Sequence, residues 1–225
     1  MRYELLMDKK LFSIGILGAA AVIGLGAFAL AKPSQAVTVK SKVGTNPGDI
    51  YQHDGQPLKP VVKGDKLAAF SEGCFWGSEN VFRHVRGVVA TAVGFTGGHV
   101  AYPTYQEVCT HTTGHAETVL LEFNPRIVSY QRLLYIFWNS HNPTEGFRQG
   151  PDFGSNYRSA IWTFSPKEYM LAVESRQIQQ KGYTIPITTQ ISPIGPFWLA
   201  EKYHQQYDEK NGVAACPVFL RKQAK

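Results

Sequence analysis

The residues best placed to do chemistry begin with a thiol. Gly73-Cys74-Phe75-Trp76-Gly77 follows a short apolar stretch and opens a segment of helical periodicity. A thiol at a helix N-terminus meets the positive end of the dipole and unpaired N–H donors, which favours the thiolate and lowers its pKa from the free value of about 8.5. The two glycines permit a sharp turn and close approach of a substrate. Phe75 and Trp76 add apolar surface beside the sulfur. Free cysteines are often buried and inert, but the strand–turn–helix position marks Cys74 as a nucleophile.

A second cluster runs Tyr105-Gln106-Glu107-Val108-Cys109 and then Thr113-Gly114-His115-Ala116-Glu117. A carboxylate at the lip of an aromatic pocket is desolvated and held protonated near neutral pH, where it can serve as an acid. Standing alone, Glu117 would better suit a solvated strand edge. Cys109, His111, His115 and Glu117 are also metal-ligand types within nine residues. Gly114 and three threonines in that stretch argue against a helix presenting both histidines on one face. A third cluster, Gly150-Pro151-Asp152-Phe153-Gly154-Ser155-Asn156-Tyr157-Arg158-Ser159, places Asp152, Tyr157 and Arg158 on a Gly-rich loop suited to a polar pocket rim.

The elements that must carry these groups alternate irregularly. Residues 67–70 read as a short buried strand and 74–85 as a helix stopped by Gly87. Residues 88–95 read as a strand, 96–105 as a loop, 118–123 as a strand and 129–140 as an aromatic-rich helix. Residues 141–157 are polar and Gly-rich, hence loop, and 158–164 alternate as a strand. Ser165-Pro166-Lys167-Glu168 is a capping signature for a helix ending near Gly182. A short strand at 188–191 and a final amphipathic helix at 199–211 complete the pattern. With no strict βαβ repeat, the pattern implies an α+β two-layer sandwich.

The chain of 225 residues has room for one domain and an accessory segment. Its 44% hydrophobic content excludes a disordered chain. The net charge of +6 is spread rather than clustered, so no nucleic-acid partner is read from it. Three cysteines are too few for a disulfide scaffold and leave a redox-active thiol open. Residues 11–30 carry no charge and follow Lys9 and Lys10. Ser34 and Ala36 have the spacing of a signal-peptidase site. Residues 1–36 are therefore expected to be a cleaved signal or a retained membrane anchor, either of which exports the rest. Residues 37–64 read as a linker or extended arm, 65–212 as the catalytic domain and 213–225 as a C-terminal tail.

Gly73-Cys74-Phe75-Trp76-Gly77, Gly94-Phe95-Thr96-Gly97-Gly98, Pro103-Thr104-Tyr105, Thr113-Gly114-His115-Ala116-Glu117 and Gln149-Gly150-Pro151-Asp152 through Tyr157-Arg158-Ser159 occur in order. Together they resemble the A-class peptide methionine sulfoxide reductases over roughly residues 67–212. The resemblance implies an α+β sandwich with a ferredoxin-like core, a mixed sheet and a flexible tail. It also implies reduction of the S epimer of methionine sulfoxide, free or in oxidised proteins and peptides, by a monomer without metal or cofactor. By position, Cys74 matches the nucleophile, Glu117 the acid, and Tyr105 and Tyr157 the hydroxyls that hold the sulfoxide oxygen. Asp152 matches a polar pocket residue, and Phe75 and Trp76 match the cage for the substrate methyl. Attack would leave a sulfenic acid on Cys74. Cys216, on its Gly/Ala-rich tail, is expected to resolve it to a disulfide that a thioredoxin-like partner reduces, with Cys109 as a neighbour able to substitute.

Two departures stand out. His141-Asn142-Pro143 replaces the His-Asp-Pro of many members, and the tail has one cysteine where some members have two, so a single Cys74–Cys216 exchange is expected rather than a relay. A Cys/His hydrolase with His115 or His141 as base and Asn142 as orienter is a competing enzyme. A binding domain that captures a thioether in the aromatic pocket is a competing non-enzyme. The leader places the expected reductase in a bacterial cell envelope, periplasm or lumen.

Overall fold

The computed structural model describes residues 62–212, together with the backbone of two short strands, β1 (Val37–Thr38) and β2 (Leu58–Lys59), which pair in parallel. All of these lie within one of the chain's two units, Ser34–Lys225. The apolar run at 11–30 and the tail with Cys216 lie outside the described residues.

The expected strands and helices, the final helix apart, form with small shifts of their ends, and several short elements that were not expected join them. They are β3 (Lys66–Glu72), α1 (Phe75–Arg83), β4 (Val88–Thr96), α2 (Tyr105–Val108), β5 (Ala116–Phe123) and α3 (Tyr130–Ser140). Then come β6 (Arg148–Gln149), β7 (Asp152–Phe153), a 3-10 turn (Ser155–Tyr157), β8 (Ser159–Thr163), α4 (Pro166–Gln180), β9 (Gln190–Pro193), β10 (Phe197–Leu199) and α5 (Tyr207–Asn211). Side-chain caps set the helix starts. Ser129 accepts from the Arg132 amide and Ser165 from the Glu168 amide, each satisfying an orphan donor of the first turn. Glu168 turns its own carboxylate back to the Phe164 amide at 2.8 Å.

Six strands form one mixed sheet in the order β10-β4-β5-β3-β8-β9, antiparallel except for the β8–β9 pair. Period-two alternation divides its faces. Phe70, Val119, Leu121 and Phe123 point to one side and pack with Phe82 of α1, with Leu133, Leu134, Phe137 and Trp138 of α3, and with Ala172 of α4. Leu67, Ala69, Leu120, Ala160 and Trp162 pack with Phe197 on the other side. Side chains of this kind, removed from water, each contribute roughly 1.5–3 kcal/mol. The helix-bearing face gives the α+β sandwich, and a smaller apolar cluster near β4 gathers Phe75, Val93, Phe95 and Val108.

Two expectations are corrected. The helix at 199–211 contracts to α5, because Leu199 is spent on β10 and Gln206 takes a left-handed φ of 50°. That conformation turns buried Gln205 and Gln206 inward. The Gln206 amide donates to Glu79 Oε2 at 2.6 Å, and Gln205 Nε2 donates to the Val93 carbonyl at 2.8 Å. The stretch 141–157 contains a short β6–β7 hairpin and the 3-10 turn, elements too brief for periodicity to reveal.

Candidate active site

The Cys74 turn is built where β3 runs out of the sheet. Gly73 adopts φ +101°, and a Cβ there would lie 2.6 Å from Gln149 Cγ, so the position requires glycine on both counts. Gln149 is held by a reciprocal pair with Asn142: it accepts from the Asn142 amide at 3.0 Å and donates to the Asn142 carbonyl at 2.9 Å. Cys74 is half-buried at the N-terminal boundary of α1 and is disulfide-bonded, whereas Cys109 is a free thiol.

Glu117 is 1% exposed on β5. Its Oε2 accepts from the Phe75 amide at 3.0 Å, the first N–H of the helix that Cys74 opens, and its Oε1 lies 3.4 Å from the donating Asn156 Nδ2. Burial pushes the carboxyl up to about 8, with a further push from the Asp152 charge, against the opposing pull of the two donors. At neutral pH it is a protonated acid beside the cysteine turn.

Two hydroxyls face the same carboxyl. Half-buried Tyr105 opens α2, which is fixed by a capping box between Thr104 and Glu107. Tyr157 closes the 3-10 turn. Burial raises both phenols, Tyr157 to about 12, and proximity to Glu117 adds to each. The two phenols influence one another, and Tyr105 also lies beside the Cys109 thiol, whose own pKa burial raises. Asp152 on β7 is partly buried, and desolvation raises its carboxyl too.

The apolar wall comes from Phe75 and Trp76. Phe75 is 1% exposed and packs on Phe95, Tyr105 and His204 at 5.7, 6.3 and 5.1 Å between ring centroids. The Trp76 indole stacks on Tyr207 at 3.7 Å and donates to His204 Nδ1 at 3.0 Å. Burial holds His204 down to about 4, so it is neutral and its Nδ1 can accept.

The structure therefore gathers Cys74, Glu117, Tyr105, Tyr157, Asp152, Phe75 and Trp76 at one end of the sheet. The histidines of the competing readings are occupied elsewhere. His115 accepts from the Gly98 amide at Nδ1 and donates Nε2–H to the Val100 carbonyl. His141 donates Nδ1–H to the Phe137 carbonyl at 2.8 Å and contacts Ser159 Oγ through Nε2 at 2.7 Å. Neither has a nitrogen left to act as a base. His111 is paired with Asn156 at 2.7 Å, and among the described residues no three His, Cys, Asp or Glu side chains converge as a metal site.

Asn156, His204 and Tyr207 escaped the sequence reading. Asn156 stands inside the third cluster, where a polar residue ahead of Tyr157 was a usable signal. His204 and Tyr207 had none, because they reach Trp76 from more than a hundred residues away.

Comparison with known proteins agrees with this assembly. A family model described as peptide methionine sulfoxide reductase matches residues 66–225. Peptide methionine sulfoxide reductase MsrA 1 of Synechocystis sp. is 47% identical over 84% of this chain and 86% of its own length. MsrA of Methanosarcina acetivorans is 48% identical over 73% of this chain and 85% of its own. Among solved structures, methionine sulfoxide reductase A of Corynebacterium diphtheriae superposes with a TM-score of 0.65 at 38% identity, covering 69% of this chain and 79% of that one. Mxr1 from Saccharomyces cerevisiae has also been solved in complex with Trx2; that structure gives a TM-score of 0.50 at 25% identity, covering 71% of this chain and 91% of that one.

One expectation is overturned. Export across, or anchoring in, a membrane of the cell envelope is not supported: the relatives are named simply as MsrA, and among the described residues no helix is long and apolar enough to cross a membrane. The longest, α4, has 15 residues and a largely polar surface, where spanning needs about 20 apolar ones.

Proposed function

The chain belongs to the peptide methionine sulfoxide reductases, oxidoreductases that return methionine sulfoxide to methionine, and from that premise we propose how its own residues divide the work. Cys74 is the nucleophile, Glu117 the general acid, and Tyr105 and Tyr157 the hydroxyls that hold the sulfoxide oxygen. Phe75 and Trp76 enclose the substrate methyl, and Asp152 lines the polar side. The observation that carries this is the Glu117 carboxyl: neutral at pH 7, buried, and bonded to the amide next to the cysteine.

Sulfoxide oxygen is a poor leaving group, so thiolate attack on sulfur needs a proton delivered to that oxygen. The Cys74 thiolate, the sulfoxide and one proton from Glu117 become a Cys74 sulfenic acid and methionine. The cysteine sulfur loses the two electrons that the substrate sulfur gains. Cys216 then displaces water from the sulfenic acid to form a disulfide. Cys216 takes this role over Cys109 because its Gly/Ala-rich tail (Gly212-Val213-Ala214-Ala215) can bring a thiol to Cys74 and then offer the disulfide to a reductant.

The Mxr1–Trx2 complex supports a thioredoxin-like dithiol as the electron donor. In this reading residues 65–212 form the catalytic domain and 213–225 carry the resolving thiol. The test supplies the full-length protein with dithiothreitol and each epimer of a methionine sulfoxide peptide. Turnover of the S epimer alone, lost in Cys74→Ala, is expected; turnover by Cys74→Ala, or none by the folded wild type, would sink the reading.

A further inference from the structure

Glu117 is not the only buried acid near the cysteine turn. Glu72 ends β3 one residue before Gly73, 6% exposed, and points to the helix-bearing face. Its partners come from two helices. Ser140, the last residue of α3, places Oγ 2.6 Å from Glu72 Oε2, and Ser78 of α1 lies beside the same carboxyl. Ser78 Oγ also lies 3.3 Å from the Cys74 carbonyl, to which it donates.

The proton inventory favours an uncharged carboxyl. Ser140 Oγ faces two acceptors, Glu72 Oε2 and, at 2.9 Å, the Phe137 carbonyl. A hydroxyl has one proton. A carboxylate would leave one of the two contacts without a proton, whereas a protonated Glu72 supplies a second and satisfies both. The nearby titratable groups offer no counter-charge. His141 Nδ1 is 3.8 Å from Glu72 Oε2, too far for a hydrogen bond, and its proton already serves Phe137. Burial holds His141 down to about 4 and raises Glu72 to about 8, so the contact joins two neutral groups and is not an ion pair. On β8 the residue paired with Glu72 is the uncharged Ser159. On β5 the group sharing its face is Glu117, itself neutral at pH 7.

We propose that Glu72 is a positioning residue for the reductase reaction: as an uncharged acid it clamps the C-terminal end of α3 to the first turns of α1, and so holds the turn that presents Cys74. The proposal rests on Cys74 being the reacting thiol.

The test uses the full-length chain as Glu72→Gln, Glu72→Ala and Ser140→Ala, with a methionine sulfoxide peptide and dithiothreitol. The pH midpoint of Cys74 alkylation by iodoacetamide is read in parallel, with Cys109 and Cys216 changed to Ser. Glu72→Ala is expected to lower kcat about tenfold, as loss of one buried hydrogen-bond partner does, with KM within about twofold and the alkylation midpoint displaced. Glu72→Gln is expected to keep the wild-type kcat at pH 7, since its side-chain amide can still donate to Ser140 Oγ. Equal loss in the Gln and Ala variants overturns the proposal, as does a lower melting temperature with kcat and the midpoint unmoved. Should Glu72→Ala not fold, Ser140→Ala removes only the far end of the clamp. A kcat loss there supports the proposal and an unchanged kcat overturns it. Alkylation reports on Cys74 without any turnover, so a wrong choice of nucleophile shows up separately, as turnover by Cys74→Ala.

Discussion

Glu117 and Phe75 are joined by a 3.0 Å hydrogen bond between a buried carboxyl and the amide that follows Cys74. The bond ties β5 to the first turn of α1, so the acid and the thiol are positioned by the same contact. It also explains why a carboxyl raised to about 8 by burial is not raised further: the amide and Asn156 both favour its charged form.

Replacing that acid tests its role. Glu117→Gln keeps the shape and the Phe75 contact but removes the proton. Single-turnover methionine formation should fall by about 100-fold or more, the usual contribution of a positioned general acid. In the wild type the same rate should decline as pH rises through about 8, where Glu117 loses its proton. A flat rate between pH 7 and 9.5 would count against it.

The buried acids also set a stability profile. Glu72 rises from an ordinary 4.5 to about 8 on folding, so the unfolded chain ionises first as pH climbs. Stability is therefore fully present below about 4.5 and is drained progressively until about 8, by at most about 1.4 kcal/mol for each pH unit. Glu72→Gln removes this drain. Thermal melts should show its advantage over wild type growing from pH 5 to pH 8; an advantage constant with pH would refute the assignment.

Gly73 carries both a positive φ and a close neighbour. Gly73→Ala should cost on the order of 1–3 kcal/mol in strain and displace Cys74 or Gln149. Urea unfolding and turnover together check this, and wild-type values in both would refute it.

The indole is fixed from two sides. Trp76→Phe loses the bond to His204 Nδ1 but can keep the stack on Tyr207. KM for a methionine sulfoxide peptide should rise several-fold with the alkylation rate of Cys74 unchanged. A change in alkylation with KM untouched would show that Trp76 serves the thiol instead.

Cys216→Ser isolates the first half-reaction. One methionine per enzyme is expected with a thioredoxin donor, leaving a Cys74 sulfenic acid that dimedone labels and mass spectrometry detects. Sustained thioredoxin-driven turnover would point to Cys109 as the resolving thiol.

The sequence by itself determined the local features. The turn before Cys74, the capping signature at Ser165 and the short apolar runs of β3, β4 and β5 are written in neighbouring residues, because turn chemistry and strand-forming runs are properties of short segments. For that reason the thiol, the acid and the two tyrosines were legible as types and positions. Tertiary structure decided what those groups are chemically. Glu117 by itself read better as a solvated edge carboxylate, and only packing beneath α1 removes its water and leaves it protonated. His115 and His141 were available as bases until the fold spent their nitrogens on Val100, Gly98, Phe137 and Ser159. The final helix failed for a similar reason, since buried bonds from Gln205 and Gln206 to distant strands and helices outweigh a local amphipathic pattern. Protonation state and partner choice depend on desolvation and long-range contact, which no short window of sequence contains.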